Sequence, residues 1–150
     1  MTLLITKERH PRRIAQKAII KKIQYLLEHL GRGNSEISLL LTDDAGITYY
    51  NERFLKRPGP TNVISFGAGR PFALGPDILG DVVVNIDAAL RQSEVRGVSL
   101  TDEIIILTVH GLVHLLGFTH DTKEGATGND ALLMDAKERE LLSLIEMDTQ

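Results

Sequence analysis

The sequence predicts an α+β fold, a single domain in which a small mixed sheet packs against several helices. Its 150 residues fit one domain of ordinary size. Hydrophobic residues make up 43% of the chain and charged residues 25%, which supplies a core and argues against a disordered chain. Short β-branched runs alternate with longer segments of helical periodicity, without any internal repeat. Residues 1–150 are therefore expected to form one domain.

Five segments are predicted to be helical from the spacing of their apolar residues and from their terminal signals. The first, from Pro11 to Leu30, carries apolar residues three and four positions apart with Lys and Arg between them, and Gly31 can end it. The fourth begins after a capping Ser99 and reaches Leu116 as a long apolar helix. The other three are a brief helix at Tyr49–Leu55, a helix at Ala88–Arg96 that Asp87 caps and Gly97 ends, and a last helix at about Asp130–Glu146.

Three apolar runs bounded by turn-forming residues predict strands at Glu36–Thr42, Asn62–Phe66 and Ile78–Ile86. Gly80 and Asp81 indicate a β-bulge at the entry to the last of these strands. Residues 67–80 are rich in Gly and Pro and are predicted to form an irregular surface connection, of a kind that often borders a functional site.

The composition limits the chemistry that the chain can use. Cysteine is absent, which excludes disulfides, thiolate zinc sites and cysteine nucleophiles, so any metal site must use His, Asp or Glu. The net charge of −3 is unevenly distributed: positions 1–33 have eight basic and two acidic residues, positions 34–100 have six basic and eight acidic residues, and positions 101–150 have three basic and ten acidic residues. A local RNA contact is therefore not excluded by the mildly acidic average. No stretch approaches the roughly 18 uncharged apolar residues of a membrane span, so we expect a cytoplasmic protein without a membrane partner.

Three of the five histidines, His110, His114 and His120, fall within eleven residues. The first two are four positions apart on a predicted helix, which places both imidazoles on one face about one turn apart. Gly117 can adopt a left-handed conformation and turn the chain, so that His120 returns toward the same ion. Three neutral imidazoles suit one zinc ion, or another divalent transition metal, and leave an open coordination position.

The spacing of these histidines is that of the metzincin proteases, but Gly111 stands where those enzymes need a Glu as general base. A glycine at this position is expected to leave open space beside the metal. That space would suit a bulky anionic group such as a phosphodiester, whose oxygen the metal can polarise. Two nucleophiles fit such a site, water activated at the metal or the neighbouring 2′-hydroxyl, and cyclic-phosphate products would indicate the second.

These motifs resemble those of the YbeY family of bacterial endoribonucleases. The histidine segment matches the family signature at His110, Gly111, His114, Leu115, Gly117 and His120. Residues 60–66 (PTNVISF), residues 79–83 (LGDVV) and Asn51 are also similar to family motifs, so the likeness covers most of residues 36–145. Thr119 and Leu55 depart from the pattern, since the family usually has Asp and Arg at these positions.

The resemblance implies a metal-dependent endoribonuclease, specific for single strands, that acts in rRNA maturation and in ribosome quality control. Its implied substrate is an rRNA precursor, cut especially at the 3′ end of 16S rRNA, and its implied partners are the ribosome or small-subunit proteins, with no DNA expected. Two alternatives remain open from the residues: a zinc metallopeptidase with an unconventional base, and a non-catalytic ribosome-assembly factor with a structural metal.

Three further sets of charged residues carry weaker predictions. Lys56 and Arg57 lie just beyond Leu55 and could bind a substrate phosphate, and Arg57 is also a candidate catalytic residue. The alternative is that both are solvated loop charges without a role in binding or catalysis. The lysines of the first helix are interpreted as its solvated face rather than as an RNA-binding surface. Four acids are candidates to accept the second ring N–H of a ligand histidine: Asp81, Asp102, Asp121 and Glu124.

Overall fold

The computed structural model describes residues 3–8, 10–67, 78–117 and 128–147. Within these residues the chain forms four strands and five helices, which confirms the α+β class. The elements in chain order are β1 (Leu3–Lys7), α1 (Gln16–His29), β2 (Glu36–Thr42), α2 (Asp44–Leu55), β3 (Val63–Gly67), β4 (Ile78–Asn85), α3 (Ile86–Arg96), α4 (Leu100–Leu115) and α5 (Gly128–Leu144).

The four strands form one mixed sheet in the order β1-β2-β4-β3. Strand β2 runs parallel to both β1 and β4, whereas β3 runs antiparallel to β4. Glu36 pairs with Ile78 and Ile37 pairs with Gly80, so that Leu79 is an extra residue in β4. The predicted bulge at the entry to β4 is therefore confirmed.

Strand β1 was not expected from the sequence. It is an edge strand, and only one of its faces packs against the core: Leu3 is fully buried while Leu4 is half exposed. A five-residue strand with one covered face presents too few apolar residues for its alternation to stand out.

Helix α1 begins at Gln16, so the expectation that Pro11 lies in its first turn is wrong. Residues ahead of the helix are instead tied to neighbouring elements: Nζ of Lys7 donates to the carbonyl oxygen of Arg12, and Nε2 of His10 lies 2.9 Å from Oδ1 of Asp87. These tertiary contacts hold the chain in an irregular path before the helix starts.

Two other helix starts also differ from prediction. Helix α2 begins at Asp44, five residues before the expected Tyr49, because the Asp43 side chain caps it by accepting from the Gly46 amide. Helix α3 is capped by Asn85 rather than by Asp87, since Asn85 Oδ1 accepts from the amides of residues 87 and 88. Asp87 instead joins the helix to neighbouring parts of the chain by accepting from the Asp44 amide at 3.0 Å.

The remaining helix signals are confirmed. The Ser99 hydroxyl accepts from the Asp102 amide and caps α4, and Gly97 ends α3 in the left-handed region with φ of 77°. Helix α5 ends at Leu144, close to the predicted limit.

Helices cover both faces of the sheet. The larger apolar cluster joins α1, α4 and α5 to one face, with fully buried residues such as Ile23, Val82 and Leu112. The smaller cluster packs α2 on the other face around Ile47 and Phe66. Among the described helices no single one is long and apolar enough to cross a membrane. Helices α3 and α4 taken together have the length and apolar composition of a membrane span, but a bend of 110° separates them.

Candidate active site at His110 and His114

Helix α4 brings His110 and His114 together on one face. Their ring centroids lie 5.2 Å apart with an interplanar angle of 72°, as a four-residue spacing predicts. Both side chains are partly exposed, in contrast to the buried residues 111–113 between them. The pair is therefore positioned to present two imidazoles to a common ligand.

The third predicted ligand, His120, lies outside the described residues, as does Thr119. Gly117, which precedes them, adopts the left-handed conformation expected of it, with φ of 103°. In the portion of the chain that the structure describes, no three His, Asp or Glu side chains gather as a metal site. The complete triad of histidines remains a prediction.

Glu138 of α5 supports the first of these histidines. Its Oε1 atom lies 2.5 Å from Nδ1 of His110, and both side chains are mostly buried, with exposed fractions of 19% and 28%. A carboxylate at Nδ1 orients the ring and leaves Nε2 as the nitrogen available to a metal. Sequence reasoning missed this residue, because its position beside His110 depends on how α5 packs against α4.

The structure overturns the expectation that Gly111 leaves open space beside the metal. A Cβ atom at this position would lie 2.7 Å from Cγ1 of Val82 and 3.0 Å from Oγ of Ser65. Gly111 is buried, and its carbonyl oxygen accepts a 3.0 Å hydrogen bond from the Ser65 hydroxyl. Glycine is favoured here because α4 lies directly against the sheet, and any side chain would displace Val82 or Ser65.

A second glycine makes a similar close approach. Gly80 has φ of 152°, and a Cβ atom there would lie 2.3 Å from the Phe66 carbonyl oxygen and 2.7 Å from Cδ2 of Leu115. Two segments of the sheet therefore contact α4 beside the histidines: the one that contains Ser65 and the one that contains Gly80 and Val82. The three motifs of the family resemblance, at residues 60–66, at residues 79–83 and from His110 onward, are therefore in contact with one another in the fold.

An open cleft of about 700 Å³ lies against His110. Its lining includes Arg91, Gln92, Val95 and Arg96 of α3, together with His110 and Glu138. Nε of Arg96 donates to Oε1 of Glu103 at 2.7 Å, and Glu103 is fully buried on α4. The sequence contained one signal for this arrangement, because an acid within the apolar run 103–109 requires a buried partner.

Lys56 and Arg57, the predicted phosphate contacts, follow α2 and are exposed. Lys56 ends that helix with φ of 56°, and its Nζ donates to the Arg53 carbonyl oxygen. Neither residue is among the described residues that line the cleft at His110. Leu55, which stands at the position of the family arginine, packs against the apolar cluster between α2 and the sheet.

Neither of the two candidate acids that the structure describes, Asp81 and Asp102, lies at His110. Asp81 lies beside Phe66 in the sheet, on the face covered by α2, and Asp102 is in the first turn of α4, two turns before His110. Asp121 and Glu124 lie outside the described residues. Burial raises the pKa of Asp81, partly offset by a hydrogen bond from Ser38.

The lysines of α1 agree with a solvated helix face. Ile19, Ile23 and Leu26 are fully buried against the core, while Lys17 and Lys21 are exposed. Most of the predicted connection at 67–80, namely residues 68–77, lies outside the described residues.

The sequence is similar to that of known proteins over nearly its whole length. The sequence model of a family described as Endoribonuclease YbeY matches residues 4–146. A protein named Endoribonuclease YbeY from Geobacter sulfurreducens is 38% identical over 142 residues, covering 93% of this chain and 91% of its own. Another of the same name from Aquifex aeolicus is 43% identical over 110 residues, covering 73% of each chain.

The fold is also similar to that of a solved structure. The solution structure of TM1509 from Thermotoga maritima superimposes with a TM-score of 0.58, covering 97% of this chain and 92% of that protein. The two sequences are 14% identical, so this likeness concerns the fold alone.

Proposed function

This chain belongs to the endoribonuclease YbeY family, and we propose that its site at His110 and His114 cleaves single-stranded RNA with the help of one metal ion. Membership makes the chain a hydrolytic nuclease that acts on RNA, in a family that depends on a metal. The observation that carries the site assignment is the pair of adjacent imidazoles, one supported by Glu138, beside an open cleft.

The donor groups fit a zinc ion or another divalent transition metal. His110, held by Glu138 at Nδ1, and His114 would each supply one nitrogen, and His120 would supply the third. A metal bound there would polarise a phosphate oxygen of the substrate. The chain itself would fix the ring of His110 through Glu138 and hold the helix against the sheet through Gly111 and Ser65.

We further propose that the substrate is an rRNA precursor, cut near the 3′ end of 16S rRNA in the cytoplasm, and that the ribosome or its small-subunit proteins help to present it. The family match supports a role in rRNA processing. Residues 1–150 would act as one metal-dependent hydrolase domain. Lys56 and Arg57 would contact a substrate phosphate, in which case Arg57→Ala lowers cleavage while the bound metal remains.

A metallopeptidase is less well supported. It needs a carboxylate that takes a proton from water at the metal. Glu138 is a carboxylate close to His110, but it contacts Nδ1 of the ring and so serves to orient a ligand. Turnover of casein that a chelator abolishes would nevertheless favour the peptidase.

The test compares wild-type protein with His114→Ala on a small-subunit rRNA precursor, both purified free of contaminating ribonucleases. We expect the wild type to cut the precursor, His114→Ala to lose both cleavage and stoichiometric metal, and His29→Ala to keep both. His29 is a suitable control because it lies exposed at the end of α1. Cleavage that persists in His114→Ala would contradict the proposed site.

A further inference from the structure

We propose that Arg91 and Arg96 of α3 bind backbone phosphates of the RNA strand that enters the cleft at His110. This inference rests on the proposed function, because it assigns the residues that hold the substrate of that site. It starts from the position of the two arginines: both line the same cleft as His110, together with Gln92 and Val95.

The cleft residues of α3 form one face of that helix, at positions 91, 92, 95 and 96. Arg91 and Arg96 are five residues apart, or about 7.5 Å along the helix axis. Because of this separation the two guanidinium groups offer successive contacts along a chain of phosphates rather than a clamp for a single ion. Volumes of roughly 300–1,000 Å³ suit small ligands, and a cleft of about 700 Å³ accommodates a short segment of single strand.

Arg96 is held in place before any substrate arrives. Its Nε and Nη2 atoms contact the two carboxylate oxygens of Glu103 at 2.7 and 3.4 Å, and Glu103 is fully buried. Glu103 and His110 are seven residues apart on α4, which places them on one face and about 10.5 Å apart along the axis. The buried carboxylate therefore fixes a guanidinium group two turns of α4 from the candidate metal ligand.

Arg91 is held differently. Its guanidinium contacts Asp44 at 3.0 and 3.2 Å, but the two side chains are 62% and 42% exposed. Ion pairs this exposed contribute little to stability, so a phosphate can displace Asp44 at small cost. Asp44 would keep its 2.7 Å hydrogen bond from Nδ2 of Asn85. Arg91 can therefore turn to the substrate without disturbing the fold.

The ligand class follows from the groups in the cleft. Guanidinium groups bind phosphate with paired hydrogen bonds, and they also stack on bases. The amide of Gln92 adds a polar contact, and Val95, which is 91% exposed, offers apolar surface. Phosphate contacts of this kind position a strand without reading its sequence.

The test measures the affinity of a single-stranded oligoribonucleotide at several salt concentrations, with a chelator present so that the metal plays no part. The variants are Arg91→Gln and the double variant Arg96→Gln with Glu103→Gln, which replaces the buried ion pair by two amides and avoids an unpaired buried charge. Arg53→Gln is the control, because Arg53 is exposed on α2 and does not line the cleft.

We expect each cleft variant to weaken binding about three- to tenfold and to reduce the slope of log affinity against log salt by about 0.7, the value for one lost contact with a single strand. Arg53→Gln should leave both quantities unchanged. Wild-type affinity and slope in both cleft variants would overturn the inference, as would a slope that falls only in Lys21→Gln with Lys22→Gln. Arginine-dependent binding by a wild type that does not cleave RNA would support this inference and contradict the proposed function.

Discussion

The hydroxyl of Ser65 donates a 3.0 Å hydrogen bond to the carbonyl oxygen of Gly111, the residue that follows the first candidate metal ligand. Ser65 belongs to strand β3 and Gly111 to helix α4, so the bond joins an edge strand of the sheet to the helix that carries the histidines. Val82 of β4 lies against the same glycine. Contacts from two neighbouring strands thus set the position of His110 relative to the sheet.

Gly111→Ala is expected to destabilise the protein. Its Cβ atom would lie 2.7 Å from Cγ1 of the buried Val82, and such overpacking costs about 1–3 kcal/mol. Alanine stabilises a helix interior by about 1 kcal/mol relative to glycine. The expected net decrease in the free energy of unfolding is therefore about 1 kcal/mol. Urea unfolding measures this difference in the free energy of unfolding.

The matched control is Gly67→Ala, since Gly67 is exposed at the end of β3 and a Cβ atom there would meet nothing within 4 Å. The double variant Gly111→Ala with Val82→Ala should lose less stability than the sum of the two single variants, because the smaller side chain removes the clash. Strict additivity would show that Val82 does not exclude a side chain at position 111.

Glu138→Gln is expected to weaken metal binding about 10–100-fold, because the carboxylate that orients the His110 ring is replaced by a neutral amide. Competition with a chromophoric chelator measures the affinity. Glu140→Gln serves as control: Glu140 is on the same helix and pairs with Lys137 at 3.1 Å, but its side chain is 52% exposed. Equal metal affinity in the two variants would contradict a supporting role for Glu138.

The two ion pairs that α3 makes should differ in their effect on stability. Arg96→Met leaves the fully buried carboxylate of Glu103 without its guanidinium partner, which costs about 3–5 kcal/mol in buried pairs of this type. Arg91→Met breaks the exposed pair with Asp44 and should leave the midpoint of thermal unfolding nearly unchanged. Similar midpoints of thermal unfolding for the two variants would show that the buried ion pair of Arg96 with Glu103 contributes no more to stability than the exposed pair of Arg91 with Asp44.

Asp81 should make the stability of the protein depend on pH. Burial raises the pKa of its carboxyl group above the value in the unfolded chain, about 3.9. Stability is therefore greatest below that value and is lost as the pH rises through the folded-state pKa, where the buried carboxylate becomes charged. Among the described residues, Oδ2 of Asp81 has no hydrogen-bond partner that would stabilise this charge.

Asp81→Asn removes this effect, because an amide does not ionise. The free energy of unfolding of Asp81→Asn relative to wild type should rise as the pH increases from about 4, the unfolded-state pKa, and level off above the folded-state pKa. Urea unfolding at a series of pH values measures the difference. A difference that stays constant across this range would show that Asp81 titrates at its ordinary value.

Local sequence patterns were sufficient to predict much of the secondary structure. Strand β2, the bulge in β4 and the capped start of α4 all follow from residues adjacent in sequence, and the structure confirms each of them. Helix starts were less predictable when a contact distant in sequence decided them. The contact of His10 with Asp87 spans 77 positions and holds the chain that precedes α1, so the start of that helix cannot be predicted from its own residues.

The sequence by itself determined that His110 and His114 share one face, because a four-residue spacing on a helix has no other outcome. It also placed the chain in its family through three separate motifs. Only the tertiary structure decided what surrounds those histidines. Glu138 and Arg96 come from α5 and α3, and Gly111 lies against the sheet rather than open space, because each of these relationships depends on how separate elements pack against α4.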